Sequence, residues 1–107
     1  MASSALILDG KESARALRES LKPRVEALKA RGITPRIEAV VAAQDPASLA
    51  YVAMKQKWAG WVGIESGSFM VTEAVGQSEL EEVIDRLNAD PLVHGVLVQH
   101  PLPKHLD

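Results

Sequence analysis

Three stretches of helical periodicity alternate with three short apolar runs along this chain, and nothing else in the sequence restricts the fold as much. Across residues 11–31 the apolar side chains Ala14, Leu17, Leu21, Val25 and Leu28 recur at three- and four-residue spacing, one stripe of an amphipathic helix. Pro23 lies inside that run and predicts a kink or break, and Gly32 predicts the stop. Residues 36–43 are apolar for most of their length, which suits a strand buried on both faces. Asp45-Pro46 then supplies a side-chain cap followed by proline at the first helical position, opening a helix that should reach Val62 and end at Gly63. Residues 66–72 suit a second strand, and Leu80, Val83, Ile84 and Leu87 form the inner stripe of a third helix stopping near Asn88 to Pro91. Residues 93–98 make a last apolar strand, closed off by Pro101 and Pro103. Ahead of all this, residues 5–8 form a short apolar strand or arm that ends at the Asp9-Gly10 turn signal.

Strands separated by helices need crossover connections, so the fold class is α/β: a mostly parallel sheet flanked by helices in three layers. At 107 residues the chain makes one domain at most. It stops just after a strand that would need a covering helix, so we expect it to be a piece of something longer. Hydrophobic content of 47% and charged content of 24% are ordinary for a globular domain. A formal net charge of −2 exerts no broad pull on nucleic acid or anionic membrane. Cysteine is absent, which excludes disulfides and thiolate metal sites and fits a reducing cytoplasm. The start MASSALILDG lacks a basic n-region, and no stretch approaches the roughly 20 apolar residues of a membrane span. The expectation is a cytoplasmic domain without nucleic-acid or membrane partners.

In an open parallel sheet, ligands bind beyond the carboxyl ends of the strands. Two segments fall on that rim: residues 44–55 after the first strand and residues 99–103 after the last. In the former, Ser48, Tyr51 and Lys55 lie three and four residues apart and share one helical face near its N-terminus. A hydroxyl, a phenol and an amine so arranged can handle protons, with the phenol hydrogen-bonding the amine. To act as a base near neutrality the lysine needs a lowered pKa, which desolvation or a nearby cation can supply. The same pattern also reads as solvated helix lysines beside a packing tyrosine. Gln99 ends its strand either satisfying backbone groups or facing a ligand, and Pro101-Leu102-Pro103 is either a stiff wall or a rigid turn, with a cis proline possible. His94, His100 and His105 show no paired ligand spacing, so no metal is expected. Trp58 and Trp61 suit core or interface more than a stacking platform. No Gly-x-Gly-x-x-Gly or Gly-x-x-x-x-Gly-Lys loop is present, hence no nucleotide-phosphate cradle.

Asp45-Pro46-Ala47-Ser48, Tyr51-Val52-x-x-Lys55-x-Lys57, Gly63-Ile64, the helix end Leu87-Asn88-x-Asp90 and Gly95-Val96-Leu97-Val98-Gln99-x-Pro101-Leu102-Pro103 stand in an order that resembles the methylenetetrahydrofolate dehydrogenase/cyclohydrolases. The opening Leu8-Asp9-Gly10-Lys11 is similar to that family's start, so the resemblance spans essentially the whole chain. It implies a homodimeric parent that oxidises methylenetetrahydrofolate with NADP or NAD and hydrolyses the methenyl product to formyltetrahydrofolate. On that reading residues 1–107 are the N-terminal tetrahydrofolate-binding catalytic domain. Lys55 falls on the family's catalytic lysine, Tyr51 on the tyrosine that orients it and stacks on folate, and Gln99 on the glutamine that tunes it. Ser48, Pro101 and Leu102 fall on residues lining the folate cleft. The sequence departs from the pattern at Ala43, Gln44 and His100, where glycine, an acid and leucine are usual. The family's pterin-gripping aspartate, its Rossmann domain and its returning C-terminal helix would lie past Asp107. The chain by itself is therefore expected to bind no nicotinamide cofactor and to lack dehydrogenase activity. The rival readings are a non-catalytic folate-binding or dimerisation domain, and the substrate domain of another two-domain nicotinamide enzyme.

Overall fold

The computed structural model describes residues 5–42 and 45–107. Its elements run α1 (Gly10–Ala30), β1 (Arg36–Val41), α2 (Pro46–Val62), β2 (Glu65–Met70), α3 (Gln77–Ala89) and β3 (Gly95–Val98). The strands form one parallel sheet in the order β2-β1-β3, with Val40 of β1 opposite Phe69 on one side and Val98 on the other. The parallel α/β class thus holds. Residues 5–9 adopt neither helix nor strand, and Leu6, Ile7 and Leu8 are exposed.

Connectivity accounts for the layers. The β1-to-β2 connection steps one way along the sheet, while β2-to-β3 steps back past β1. Crossovers of one hand moving in opposite directions put their helices on opposite faces. The core divides accordingly. Ala39 and Val41 meet Val52 of α2, whereas Val40 and Ala42 meet Val75, Leu80 and Val83 around α3. Alternating side chains of the central strand therefore feed two separate apolar clusters.

Local chemistry sets the helix ends. Asp45 caps α2 by accepting from the Ala47 amide at 3.2 Å, with Pro46 in the first turn. At the other end Gly63 turns left-handed at φ 93°, and a side chain there would press on Val25 and Lys29 of α1 at 3.1 Å. Asp9 caps α1 through the Lys11 and Glu12 amides.

The expected break in α1 does not occur. Pro23 lies within an unbroken helix. The amide it lacks would have bonded the Glu19 carbonyl, and both residues sit on the exposed side where water can serve that oxygen. The inner stripe is also only partly used, with Val25 buried but Leu17 60% exposed. Val25 is the one residue of α1 that is buried, while Arg18 and Lys22 reach the tryptophans of α2. Boundaries are shorter than expected at β2, which ends at Met70, and at β3, which starts at Gly95.

Candidate active site

The segments following β1 and β3 leave adjacent strands for opposite faces. Beyond β1 the chain enters α2. Beyond β3 it turns the other way, and Leu102 and Leu106 pack on the α3-side cluster. In an open parallel sheet such divergence makes the carboxyl edge the place for a ligand crevice. A cis peptide joins His100 to Pro101 at its lip.

The crevice brings three of the expected side chains together. Lys55 Nζ donates to Gln99 Oε1 at 2.7 Å, across 44 residues of chain. Gln99 Nε2 donates to the His100 carbonyl at 3.0 Å, and Ser48 Oγ donates to that same carbonyl at 3.1 Å. The Gln99 backbone amide is held by the Val40 carbonyl at 2.9 Å, the last rung between β3 and β1. Gln99 is 7% exposed and Ser48 1% exposed, whereas Lys55 and His100 are open to solvent. Among the described residues no buried side-chain nitrogen or oxygen lacks a partner.

Tyr51 lies one turn before Lys55 and is 53% exposed. No hydrogen bond joins its hydroxyl to the amine; the amide of Gln99 takes that place. Pro101 is exposed on the rim, and Leu102 is half-buried against the α3-side core. The departures at Ala43 and Gln44 fall outside the described residues.

The sequence reading missed the apolar floor beside the lysine. A hollow of about 150 Å³ under α2 is lined by Ile37, Ala39, Val52, Leu97 and the Lys55 stem. Leu97 lies two residues before Gln99 and so on its face, a period-two signal that was available. Ile37 joins only through strand pairing with Gly95. Also unforeseen is the His100 carbonyl, since main-chain acceptors leave no mark in residue identity.

Other polar groups have structural partners. Arg36 Nε donates to Glu38 at 2.8 Å, and the guanidinium also meets Glu65 at 3.3 Å. Hydrogen bonding to Glu38, then its charge, pushes the Arg36 pKa above its already high ordinary value. Trp58 and Trp61 stack edge-to-face at 6.4 Å, with the Arg18 guanidinium 3.7 Å over Trp58 and Lys22 over Trp61. These contacts tie α1 to α2. His105 bonds the Val75 carbonyl at 2.7 Å. Among the described residues no group of three or more His, Cys, Asp or Glu is placed to hold a metal, and no helix is long and apolar enough to cross a membrane.

The N-terminus of α2 is not built for a dinucleotide pyrophosphate. Asp45 places a carboxylate at the N-terminus of α2 and occupies the Ala47 amide, and Pro46 removes another donor, where a pyrophosphate would need open amides.

Sheet, crossovers and the paired amine and amide define an open α/β domain with a polar cluster at its carboxyl edge. The chain belongs to the tetrahydrofolate dehydrogenase/cyclohydrolase family, matching its catalytic domain over residues 8–107. It is 48% identical over 103 residues to the bifunctional protein FolD of an Exiguobacterium species, covering 96% of this chain and 37% of that protein. It is 47% identical to the Moorella thermoacetica FolD with the same coverage. Among solved structures, the bifunctional FolD methylenetetrahydrofolate dehydrogenase/cyclohydrolase from Campylobacter jejuni superposes with a TM-score of 0.89 at 38% identity, over 92% of this chain and 35% of that one. The Trypanosoma brucei enzyme complexed with NADP cofactor and inhibitor gives 0.88 at 31% identity, over 99% and 36%. The chain thus spans little more than a third of the length of these relatives.

Proposed function

We propose that this chain is the tetrahydrofolate-binding catalytic part of a methylenetetrahydrofolate dehydrogenase/cyclohydrolase. The parent oxidises 5,10-methylenetetrahydrofolate and hydrolyses the resulting methenyl cation to 10-formyltetrahydrofolate. The hydride acceptor, NADP or NAD, belongs to a part of the parent outside residues 1–107; it supplies the oxidising equivalent, and no residue of this chain is assigned to it. The parent is proposed to be a cytoplasmic homodimer. Exposed Leu6, Ile7 and Leu8, and Phe69 and Met70 on the outer strand β2, offer apolar surface that supports assembly.

The observation that carries the reading is the 2.7 Å bond from Lys55 to Gln99 at the carboxyl edge of the sheet. One N–H of the amine is committed to Gln99, which fixes the nitrogen in place and leaves its other positions to meet water. In hydrolysis, water adds its oxygen to the methenyl carbon while Lys55 takes one of its protons. The bond from that carbon to N5 then breaks. One of the two water protons ends on N5 and the other in solvent, leaving the formyl group on N10. Tyr51, about half exposed one turn before Lys55, supplies a flat surface for the aromatic part of the folate.

The test is Lys55→Met in a protein carrying this chain. Hydrolysis of 5,10-methenyltetrahydrofolate, followed by loss of its near-ultraviolet absorbance, is expected to slow by about 10²–10⁴-fold. An unchanged rate would leave a folate-binding domain without chemistry.

A further inference from the structure

We infer that Ser48 is a positioning residue for the Lys55 amine, acting through the His100 carbonyl and the Gln99 amide; this rests on the catalytic reading of Lys55. A glutamine side chain carries an acceptor at one end and two donors at the other, and a half-turn exchanges them. Only the acceptor end suits a lysine, which has N–H groups to donate. What prevents the half-turn is the bond from Gln99 Nε2 to the His100 carbonyl at 3.0 Å. That carbonyl lies past the last rung of the sheet, the Gln99 amide to Val40 bond, so strand pairing does not hold it. Ser48 Oγ holds it instead, at 3.1 Å and across 52 residues.

Helix geometry makes this a two-point clamp. Ser48 and Lys55 are seven residues apart on α2, two turns, and so project from one face of a rigid element. The serine grips the backbone of the post-β3 segment, and the lysine meets the side chain that this segment presents. A helix serine ordinarily bonds a carbonyl one turn back within its own helix; this one reaches a different element. At 1% exposure its hydroxyl is spent on that backbone and not offered to solvent. Its task is to keep Oε1 of Gln99 turned toward the amine.

The experiment compares the 107-residue chain with its Ser48→Ala variant by nitrogen-15 NMR, without any substrate. Loss of the hydroxyl is expected to speed exchange of the Gln99 side-chain amide protons at least tenfold, while the Gln99 backbone amide on Val40 keeps its rate. Unchanged side-chain exchange, or equal acceleration of both amides, overturns the proposal, because a merely structural serine gives one or the other. If the alanine variant loses its fold by circular dichroism, near-isosteric Ser48→Cys, a weak donor, is read in the same way. In a protein that hydrolyses methenyltetrahydrofolate, Ser48→Ala is expected to lower kcat about tenfold with KM unchanged; a raised KM with kcat intact overturns the proposal. Failure of the catalytic reading shows differently: the clamp loosens on cue, yet Lys55→Met leaves hydrolysis untouched.

Discussion

Tyr51 and Gln99 divide the work around Lys55 in a way that follows from what each can reach. The phenol is on the same helix face as the amine but makes no bond to it, whereas the amide comes from another element and does. On the proposed reading the ring of Tyr51 carries its role and the hydroxyl does not. Tyr51→Phe is expected to leave the melting temperature unchanged and affinity for a tetrahydrofolate derivative within a factor of about three, while Tyr51→Ala weakens binding by about tenfold, the range of an aromatic stacking contact. Calorimetric titration of both variants checks this, and equal losses would return the role to the hydroxyl. Away from the crevice, Arg36 illustrates a residue whose charge is purely architectural. Glu38 raises its pKa above the ordinary arginine value, so the guanidinium stays charged at every pH below that range. Gly67 sits opposite Glu38 in the sheet, where a Cβ would come within 2.7 Å of the Glu38 carboxylate. That close approach explains a glycine in mid-strand.

Among the elements, α2 carries the site and α1 carries a fault. The 17-residue α2 is fixed at one end by Asp45 and Pro46 and at the other by Gly63, and its inner residue Val52 anchors it on β1. Lys55 is thus presented from a helix with both ends defined, which suits a group that must meet an amide within tenths of an ångström. By contrast α1 tolerates Pro23 in its interior, at the loss of one hydrogen bond and with crowding of the preceding turn. Pro23→Ala is expected to stabilise the chain by about 1–3 kcal/mol in urea unfolding, since proline costs roughly 3 kcal/mol in a helix interior. No gain would mean that the ring restrains the unfolded chain as much as it strains the helix.

Seen whole, the molecule has one sheet with two faces covered, and the reading proposed here gives its carboxyl edge to folate and leaves the dinucleotide to another part of the parent. A ligand that binds only the folded state raises stability by about 2.7 kcal/mol at one hundred times its dissociation constant. Thermal unfolding of this chain is therefore expected to shift upward with a tetrahydrofolate derivative and to stay put with NADP. A shift with NADP would place a cofactor site within residues 1–107 and refute the division of labour proposed here.

Periodicity, caps and apolar runs were enough to order the elements, because those signals act over one or two turns of chain. Asp45-Pro46 and Gly63 marked both ends of α2, and the Ser48, Tyr51 and Lys55 face followed from helical spacing alone. Spacing could not tell how α1 would use its stripe, since burial of Leu17 depends on a neighbouring surface and not on its own period. Nor could it say which partner Lys55 would find. The amide and the carbonyl that complete the clamp come from 44 and 52 residues away, brought in by a strand crossing past β1 and a backbone turn after it. Local order was written in the chain because it arises from near neighbours. The meeting of Lys55, Gln99 and Ser48 was decided by tertiary structure, because only sheet order and the direction of each crossover bring distant residues to one edge.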